Sequence, residues 1–413
     1  MLAVGISTRA VAESAADAGH RLVTVDYFGD RDQKNLAENH GLQRDFGLSW
    51  APAAVAAVAR ELDYDALLYT SDLENHPALI SAVAGDRLLL GNDEATVRRV
   101  RDWRVLRRVC REEGILHPTT LLPGEEGLVS LSRNWLTKPA RGGGGHGIRP
   151  WDGQDLEEGR LLQEWVQGVP ASAAFVADGR DAALLGLTEQ LLGRPGLGVS
   201  GFGWCGNVYP LCGPPDRQKA LEAEVQAMVS SLTRRFGLRG ANGVDLVLIR
   251  GEEQREGADE QGGHGVGEPW HPWLVEVNPR YSASMELLER GLGESVFLRH
   301  LASCAGGLRP PGSQSCTGPD TRAFLAKGIV FSRGAARAPD TGEWLCRGRR
   351  DIPFPGEPIE AGRPVCTVMA GGDTRAECLR DLENQAEQVY AELGERTEDS
   401  RERRVSAHHR SHA

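Results

Sequence analysis

Two apolar runs, each interrupted by acids, constrain this chain most: Gly243-Val244-Asp245-Leu246-Val247-Leu248-Ile249 and Leu274-Val275-Glu276-Val277-Asn278, the second closed by Pro279. Each reads as a short strand. Residues Arg250 to Pro272 between them are polar and glycine-rich and read as an exposed, mobile hairpin loop. Such a hairpin sets Asp245 beside Glu276 and Asn278. Strand side chains alternate with period two, so Glu276 and Asn278 share a face. Carboxylate and amide oxygens are hard ligands, suited to Mg²⁺ that also holds phosphates. Arg280 follows at once and can clamp an oxyanion with its planar fork. The competing reading is a strand end with a capping asparagine and a surface arginine.

With 413 residues and 40% hydrophobic content, the chain can bury a sizeable core spread over several domains or lobes. A formal charge of -11 and a pI near 5.6 argue against nucleic acid or an anionic membrane as partner. The apolar start, Met1 to Ile6, is short and no long apolar run follows, so neither signal peptide nor membrane span is expected. The eight cysteines form no C-x-x-C pair, and idle thiols in a cytoplasmic protein are the simplest account.

Residues 1 to about 90 alternate strand and helix: strand 2–6, helix Ala10–Ala18, strand Arg21–Asp26, helix 52–61 and strand 66–70. The loops Ser7–Arg9, Tyr27–Asp32 and Asp72–Asn75 fall at C-terminal strand ends, where open α/β sheets bind ligands. Arg9, Tyr27 and Asp72 are candidate substrate residues there. Arg9 beside a helix N-terminus suits a carboxylate, or else pairs with an acid such as Asp30, Asp32, Asp72 or Glu74. The same acids could receive an ammonium group. Asn92 to Glu113 then reads as one long amphipathic helix, stopped by Gly114.

A strand ending in Lys138 runs into Gly142-Gly143-Gly144-Gly145-His146-Gly147. Glycines let backbone N–H groups approach phosphate oxygens closely. This is not a Walker A loop, because the lysine precedes the glycines; it fits a flexible lid over a nucleotide triphosphate. Leu161 to Gly168 reads as a further strand that can present its backbone to an adenine edge. Beyond Pro310 come short strands, Ala323–Phe331 and Pro364–Ala370, then a helix, Thr374–Leu393. The charged tail from Gly394 reads as disordered.

These residues together resemble the ATP-grasp superfamily over Met1 to Leu393, and most closely its ATP-dependent carboligases. The resemblance implies an α/β fold: a Rossmann-like domain (1–90), a two-lobed α+β ATP-grasp domain (91–305, lid lobe about 115–168, metal-binding lobe about 169–305) and a small β-rich accessory domain (306–393), before the tail (394–413). It implies that Asp245, Glu276 and Asn278 hold Mg²⁺, with Mn²⁺ as alternative, and that Lys138 and the loop Gly142, Gly143, Gly144, Gly145 through Gly147 bind ATP phosphates. Glu164 and Val166 would meet adenine, and Arg280 would stabilise an acyl phosphate. Many relatives carry Asp-Lys early in the long helix; here the chain reads Arg101-Asp102-Trp103-Arg104, with Arg104 the candidate substitute. A ribose-binding glutamate is also missing after the adenine strand, where Ser172 is the candidate.

The implied activity is ligation of a carboxylate to an amine, or to a thiol, through an acyl phosphate. Glutamate-type ligation in one-carbon cofactor synthesis, of methanofuran or tetrahydromethanopterin type, is the finer expectation, and a homodimer the expected assembly. The competing classes are a small-molecule kinase on the same fold and a degenerate nucleotide-binding regulator.

Overall fold

The computed structural model describes residues 1–130, 132–211, 215–250, 270–308, 320 and 322–394. The chain opens with β1 (Leu2–Val4), α1 (Arg9–Asp17), β2 (Val23–Asp26), β3 (Glu38–Gly41), α2 (Leu42–Phe46), α3 (Pro52–Arg60), β4 (Ala66–Tyr69), α4 (Pro77–Ala84) and β5 (Leu88–Leu89). The five strands form a parallel sheet in the order β3-β2-β1-β4-β5. Parallel strands are covered on both faces, hence the unbroken apolar runs of β1 and β4; Leu2, Ala3, Val4, Leu67 and Leu68 are fully buried. The doubly wound expectation holds, and the loops after β1, β2 and β4 gather at one sheet edge. Gly5 is needed there, because a Cβ would collide with the Thr70 hydroxyl.

The expected single helix Asn92–Glu113 is two helices, α5 (Glu94–Val100) and α6 (Trp103–Glu113). Asp93 caps the first by accepting from Thr96 N, and Asp102 caps the second by accepting from Arg104 N. Aspartate satisfies orphan N–H groups at a helix start, so Asp102 restarts the helix that amphipathic periodicity alone would carry through. Arg101 sits at the break. Next come β6 (Thr120–Leu121), β7 (Trp135–Pro139), β8 (Arg149–Pro150) and β9 (Arg160–Glu164), an antiparallel sheet ordered β6-β9-β7-β8. The strand expected over Leu161 to Gly168 ends at Glu164.

The largest sheet takes β10 (Val169–Asp178), β11 (Ala182–Leu192) and β12 (Trp204–Tyr209), then, after α7 (Pro215–Phe236), β13 (Arg239–Arg250) and β14 (Trp270–Asn278). Helices α8 (Met285–Leu292) and α9 (Val296–Cys304) follow, then β15 (Phe324–Phe331), a two-stranded ribbon of β16 (Ala336–Arg337) and β17 (Pro358–Ile359), β18 (Pro364–Gly372) and α10 (Arg375–Leu393). Seven strands pair in the order β14-β13-β10-β11-β12-β15-β18. The two long C-terminal strands thus continue this sheet instead of making one of their own. Arg250, Trp270, His271 and Pro272, read from sequence as loop, belong to the paired strands β13 and β14. Residues 251–269 and 395–413 lie outside the described residues.

One face of this sheet is apolar. Ala171, Ala173, Phe175, Val244, Leu246 and Leu248 pack there with Val225, Val229, Leu232 and Phe236 of α7. At roughly 25 cal/mol per Å² of apolar area removed from water, burying this face stabilises the lobe. The opposite face is divided: Ala174, Val176, Leu185 and Ala241 pack against Met285, Leu288 and Phe297 of α8 and α9, while Ser172, Asp245 and Glu276 make a polar part that lines the cleft. A stitch joins the parallel sheet to the loop after β14: Tyr69 Oη lies 2.8 Å from Asn92 O and 3.1 Å from Pro279 O. Asn92 Nδ2 donates to Pro279 O (3.0 Å) and Asn242 Oδ1 (2.7 Å). The described cysteines, such as Cys110, Cys205 and Cys366, are free thiols. Among the described residues no helix is long and apolar enough to cross a membrane.

Candidate active site

Register builds the cleft floor. Asp245 pairs with Glu276 on one side and Ser172 on the other; Ser172 pairs with Thr188, Gln190 with Asn207, and Asn207 with Lys327. Directly paired residues share a face, so one polar row crosses the sheet from Glu276 to Lys327. Between Asp245 and Leu246 the pairing shifts by one residue, and Val275 is left over as a bulge. A bulge re-aims side chains. Here it keeps Leu274 and Val277 in the core while Glu276 faces the cleft.

Asp245 accepts from Gln190 Nε2 (2.9 Å) and Asn278 Nδ2 (3.1 Å). Removal from water pushes its carboxyl up to about 7, and the facing Glu276 adds to the shift. Burial acts on Glu276 in the same sense, but Lys138 and Arg101 outweigh it and hold Glu276 below its ordinary range. Two carboxylates facing each other with one proton-retentive member want a cation. Oxygen donors alone suit a hard divalent ion, and Asp245, Glu276 and Asn278 fit Mg²⁺ completed by phosphate oxygens. Among the described residues no larger cluster of histidine, cysteine and acidic groups is placed to hold a metal.

Lys138 comes from β7 in the small sheet. Its ammonium lies 3.5 Å from Glu276 Oε2, donates to Gln163 Oε1 (3.4 Å) and sits 4.7 Å from the centroid of the Trp103 ring. Burial pulls its pKa down, and Glu276 opposes that shift. The glycine loop beyond it is folded onto the large sheet: Trp204 N donates to Gly144 O (2.9 Å). Gly145 has φ +73°, and a Cβ there would strike the Phe202 carbonyl oxygen. Arg280 donates from Nε to Glu74 Oε1 (2.8 Å), and Nη2 lies 3.4 Å from Asn278 Oδ1. Burial works against its charge, and Glu74 overcomes this to raise its pKa.

Four sequence expectations change. Arg9 is 1% exposed, and its five N–H donors are spent on Glu13, Glu286 and Asp351. It therefore holds three segments together and has no donor left for a substrate. Glu164 lies on the face of the small sheet opposite Lys138, because it alternates with Gln163; its carboxylate is bonded by Arg133 (2.7 Å) and Thr119 N (3.2 Å). Its backbone N–H donates to Thr119 O (2.8 Å), and Val166 lies in the irregular stretch after β9. Arg104 is exposed, its charge felt by Glu125, and no contact joins it to Lys138 or Glu276 among those of the described residues. Ser172 is bonded within the floor to Thr188 (2.9 Å). Tyr27 and Asp72 keep their places at the sheet edge, Tyr27 against Phe28 and Asp72 beside His76 (3.3 Å).

Arg101 was not singled out in the sequence, yet it reaches the site. It donates to Val277 O (3.3 Å), Asn75 Oδ1 (3.1 Å) and Gly142 O (3.1 Å), and lies 3.7 Å from Glu276. The available signal was Asp102: a cap inside a helical pattern marks a break, and Arg101 sits at it.

Residues 103–284 match the ATP-grasp domain family. That stretch has the ATP-grasp fold. The ATP-grasp likeness extends in fold to nearly the whole chain. Carboxyaminoimidazole ribonucleotide synthase from Aspergillus clavatus, solved with ATP, is 14% identical with a TM-score of 0.63, over 94% of this chain and 98% of that one. Biotin carboxylase from Campylobacter jejuni is 13% identical with a TM-score of 0.64, over 95% of this chain and 91% of that one. L-amino acid ligase from Bacillus licheniformis is 15% identical with a TM-score of 0.61, over 95% of this chain and 97% of that one. No curated protein matches the sequence.

Proposed function

We propose that the protein is an ATP- and Mg²⁺-dependent ligase that joins a carboxylate to an amine through an acyl phosphate. One observation carries this reading: Lys138, the pair Asp245–Glu276 and Arg280 converge beneath a folded glycine loop. Transfer of a γ-phosphoryl group to a carboxylate brings two anions together, and catalysis is then mainly positioning and charge stabilisation. Lys138 is the buried cation on the lid side. Arg280, held from behind by Glu74, is the cation on the sheet side. Mg²⁺ held by Asp245, Glu276 and Asn278 would neutralise phosphate charge between them. Backbone N–H groups of Gly142 to Gly147 cover the phosphates and exclude water, and the backbone of Glu164 and Val166 meets adenine.

In this reading residues 1–90 carry the organic substrate, 91–305 the nucleotide and metal, and 306–393 brace the cleft. The likeness to an L-amino acid ligase favours a C–N bond as product. Glutamate-type ligation in one-carbon cofactor synthesis is the first pairing to test, in a cytoplasmic enzyme. The test is ADP release across a panel of acids and amines, with hydroxylamine as acyl trap. A ligase yields a hydroxamate and sustained ADP release only when an acid and a nucleophile are both present. A stable phosphorylated product formed without an amine would replace the ligase by a kinase. No nucleotide turnover with any pair would leave a binding protein.

A further inference from the structure

Arg101 touches three separate elements at the cleft. One terminal nitrogen, Nη2, donates both to Gly142 O on the glycine loop (3.1 Å) and to Asn75 Oδ1 on the substrate-side edge (3.1 Å). The other, Nη1, donates to Val277 O (3.3 Å) and lies 3.7 Å from Glu276 on the metal strands. Its Asn75 partner belongs to the 3₁₀ turn Leu73–Asn75, and the preceding residue, Glu74, accepts from Arg280 Nε at 2.8 Å. A single turn thus holds both arginines by adjacent side chains. The glycine loop and Arg280 are connected through it by three polar contacts and one peptide link, in the order Gly142, Arg101, Asn75, Glu74, Arg280.

We propose that Arg101 is a positioning residue that ties closure of the glycine loop over nucleotide to the setting of Arg280, through the turn Leu73–Asn75. The inference rests on the ATP reading above. Its chemistry is that of a planar fork. Two N–H groups on one nitrogen can bridge two carbonyl-type acceptors on separate bodies while the second nitrogen stays on a third. A lysine ammonium has the charge without that fixed geometry. When the loop is open, Arg101 loses one of its acceptors, and its hold on Asn75 is no longer fixed by the loop. When nucleotide closes the loop, the fork is completed and the turn is clamped. Organic substrate then meets a preset Arg280 only when ATP is in place, which protects ATP from being bound without its co-substrate site formed.

The test is hydrogen exchange of segments 72–76 and 142–147 with and without AMP-PNP and Mg²⁺, together with AMP-PNP affinity. The wild-type chain should gain protection in both segments on binding. Asn75→Ala should keep protection at 142–147 and lose it at 72–76, with little change in affinity. Arg101→Gln should lose it at 72–76 and bind AMP-PNP about tenfold more weakly, the effect of one charge-assisted hydrogen bond. Arg101→Lys should behave as Arg101→Gln at 72–76. Wild-type protection of 72–76 in Arg101→Gln or Asn75→Ala would overturn the proposal, and so would wild-type binding that leaves 72–76 unchanged. A wild-type chain that binds no AMP-PNP would overturn the ATP reading and this proposal with it. Should Arg101→Gln fail to fold, Asn75→Ala alone decides.

Discussion

Asp245 and Glu276 face each other across β13 and β14, yet they hold their protons very differently: burial and its neighbour push Asp245 up to about 7, while Lys138 and Arg101 keep Glu276 low. A carboxyl whose folded pKa exceeds its unfolded value binds extra proton on folding in that interval. Its contribution to stability therefore falls as pH rises from near 3.8 to about 7, and is constant above. Asp245→Asn should remove this part of the fall. Without metal, the variant should gain on wild type between those pH values and stay ahead at pH 8, read from paired melting curves. Mg²⁺ must displace the Asp245 proton, so wild-type Mg²⁺ affinity, measured by calorimetry, should rise with pH through about 7.

Glu276→Gln removes the charge that Lys138 and Arg101 both face. Nucleotide turnover should be abolished while far-UV circular dichroism is unchanged. ADP release at the wild-type rate with Mg²⁺ present would remove Glu276 from the metal set.

Gly143 and Gly145 make a controlled pair in the loop. A Cβ on Gly143 meets nothing within 4 Å, whereas Gly145 has φ +73° and abuts the Phe202 carbonyl. Gly145→Ala should weaken AMP-PNP binding about tenfold, since a left-handed alanine alone costs about 1–2 kcal/mol, and the collision adds to it. Gly143→Ala should bind as wild type. Equal affinities for the two variants would show that the loop does not close onto Phe202.

Arg9 is an architectural cation. Its removal strips Asp351 of its ion pair and leaves Glu286 with Lys327 at 2.6 Å as its close cation; breaking a buried ion network of this kind typically costs about 3–5 kcal/mol. Arg9→Ala should therefore lower the melting temperature strongly and leave AMP-PNP affinity of the folded fraction near wild type. A stable variant with a selectively raised KM for the organic substrate would return Arg9 to substrate binding.

Much of the cleft is legible in the sequence because it violates local pattern. Asp245 and Glu276 interrupt apolar strands, and the glycines at 142–145 have no packing role that a strand or helix would give them. The parallel sheet follows from the alternation of strand and helix. What escapes is set by long-range partners. Arg9 finds Glu286 and Asp351 at separations of 277 and 342 residues, which no local window holds. Glu164 is turned away from Lys138 by the pairing of β9 with β7, a register that the strand's own residues do not specify. β15 and β18 look self-contained in sequence and join the large sheet only because β12 offers an edge.

The stitch of Tyr69, Asn92, Asn242 and Pro279 bears on how this protein could be recombined. The obvious graft point for exchanging the first 90 residues lies in the connection before α5. A cut there separates Tyr69 from Asn92 and from the Pro279 carbonyl that follows the metal strand. A chimera that imports only a foreign first domain would mismatch the loop leading to Arg280. Transplanting Asn92, Asn242 and the turn at Pro279 with that domain would carry the seam intact, so the unit of exchange is discontinuous in sequence.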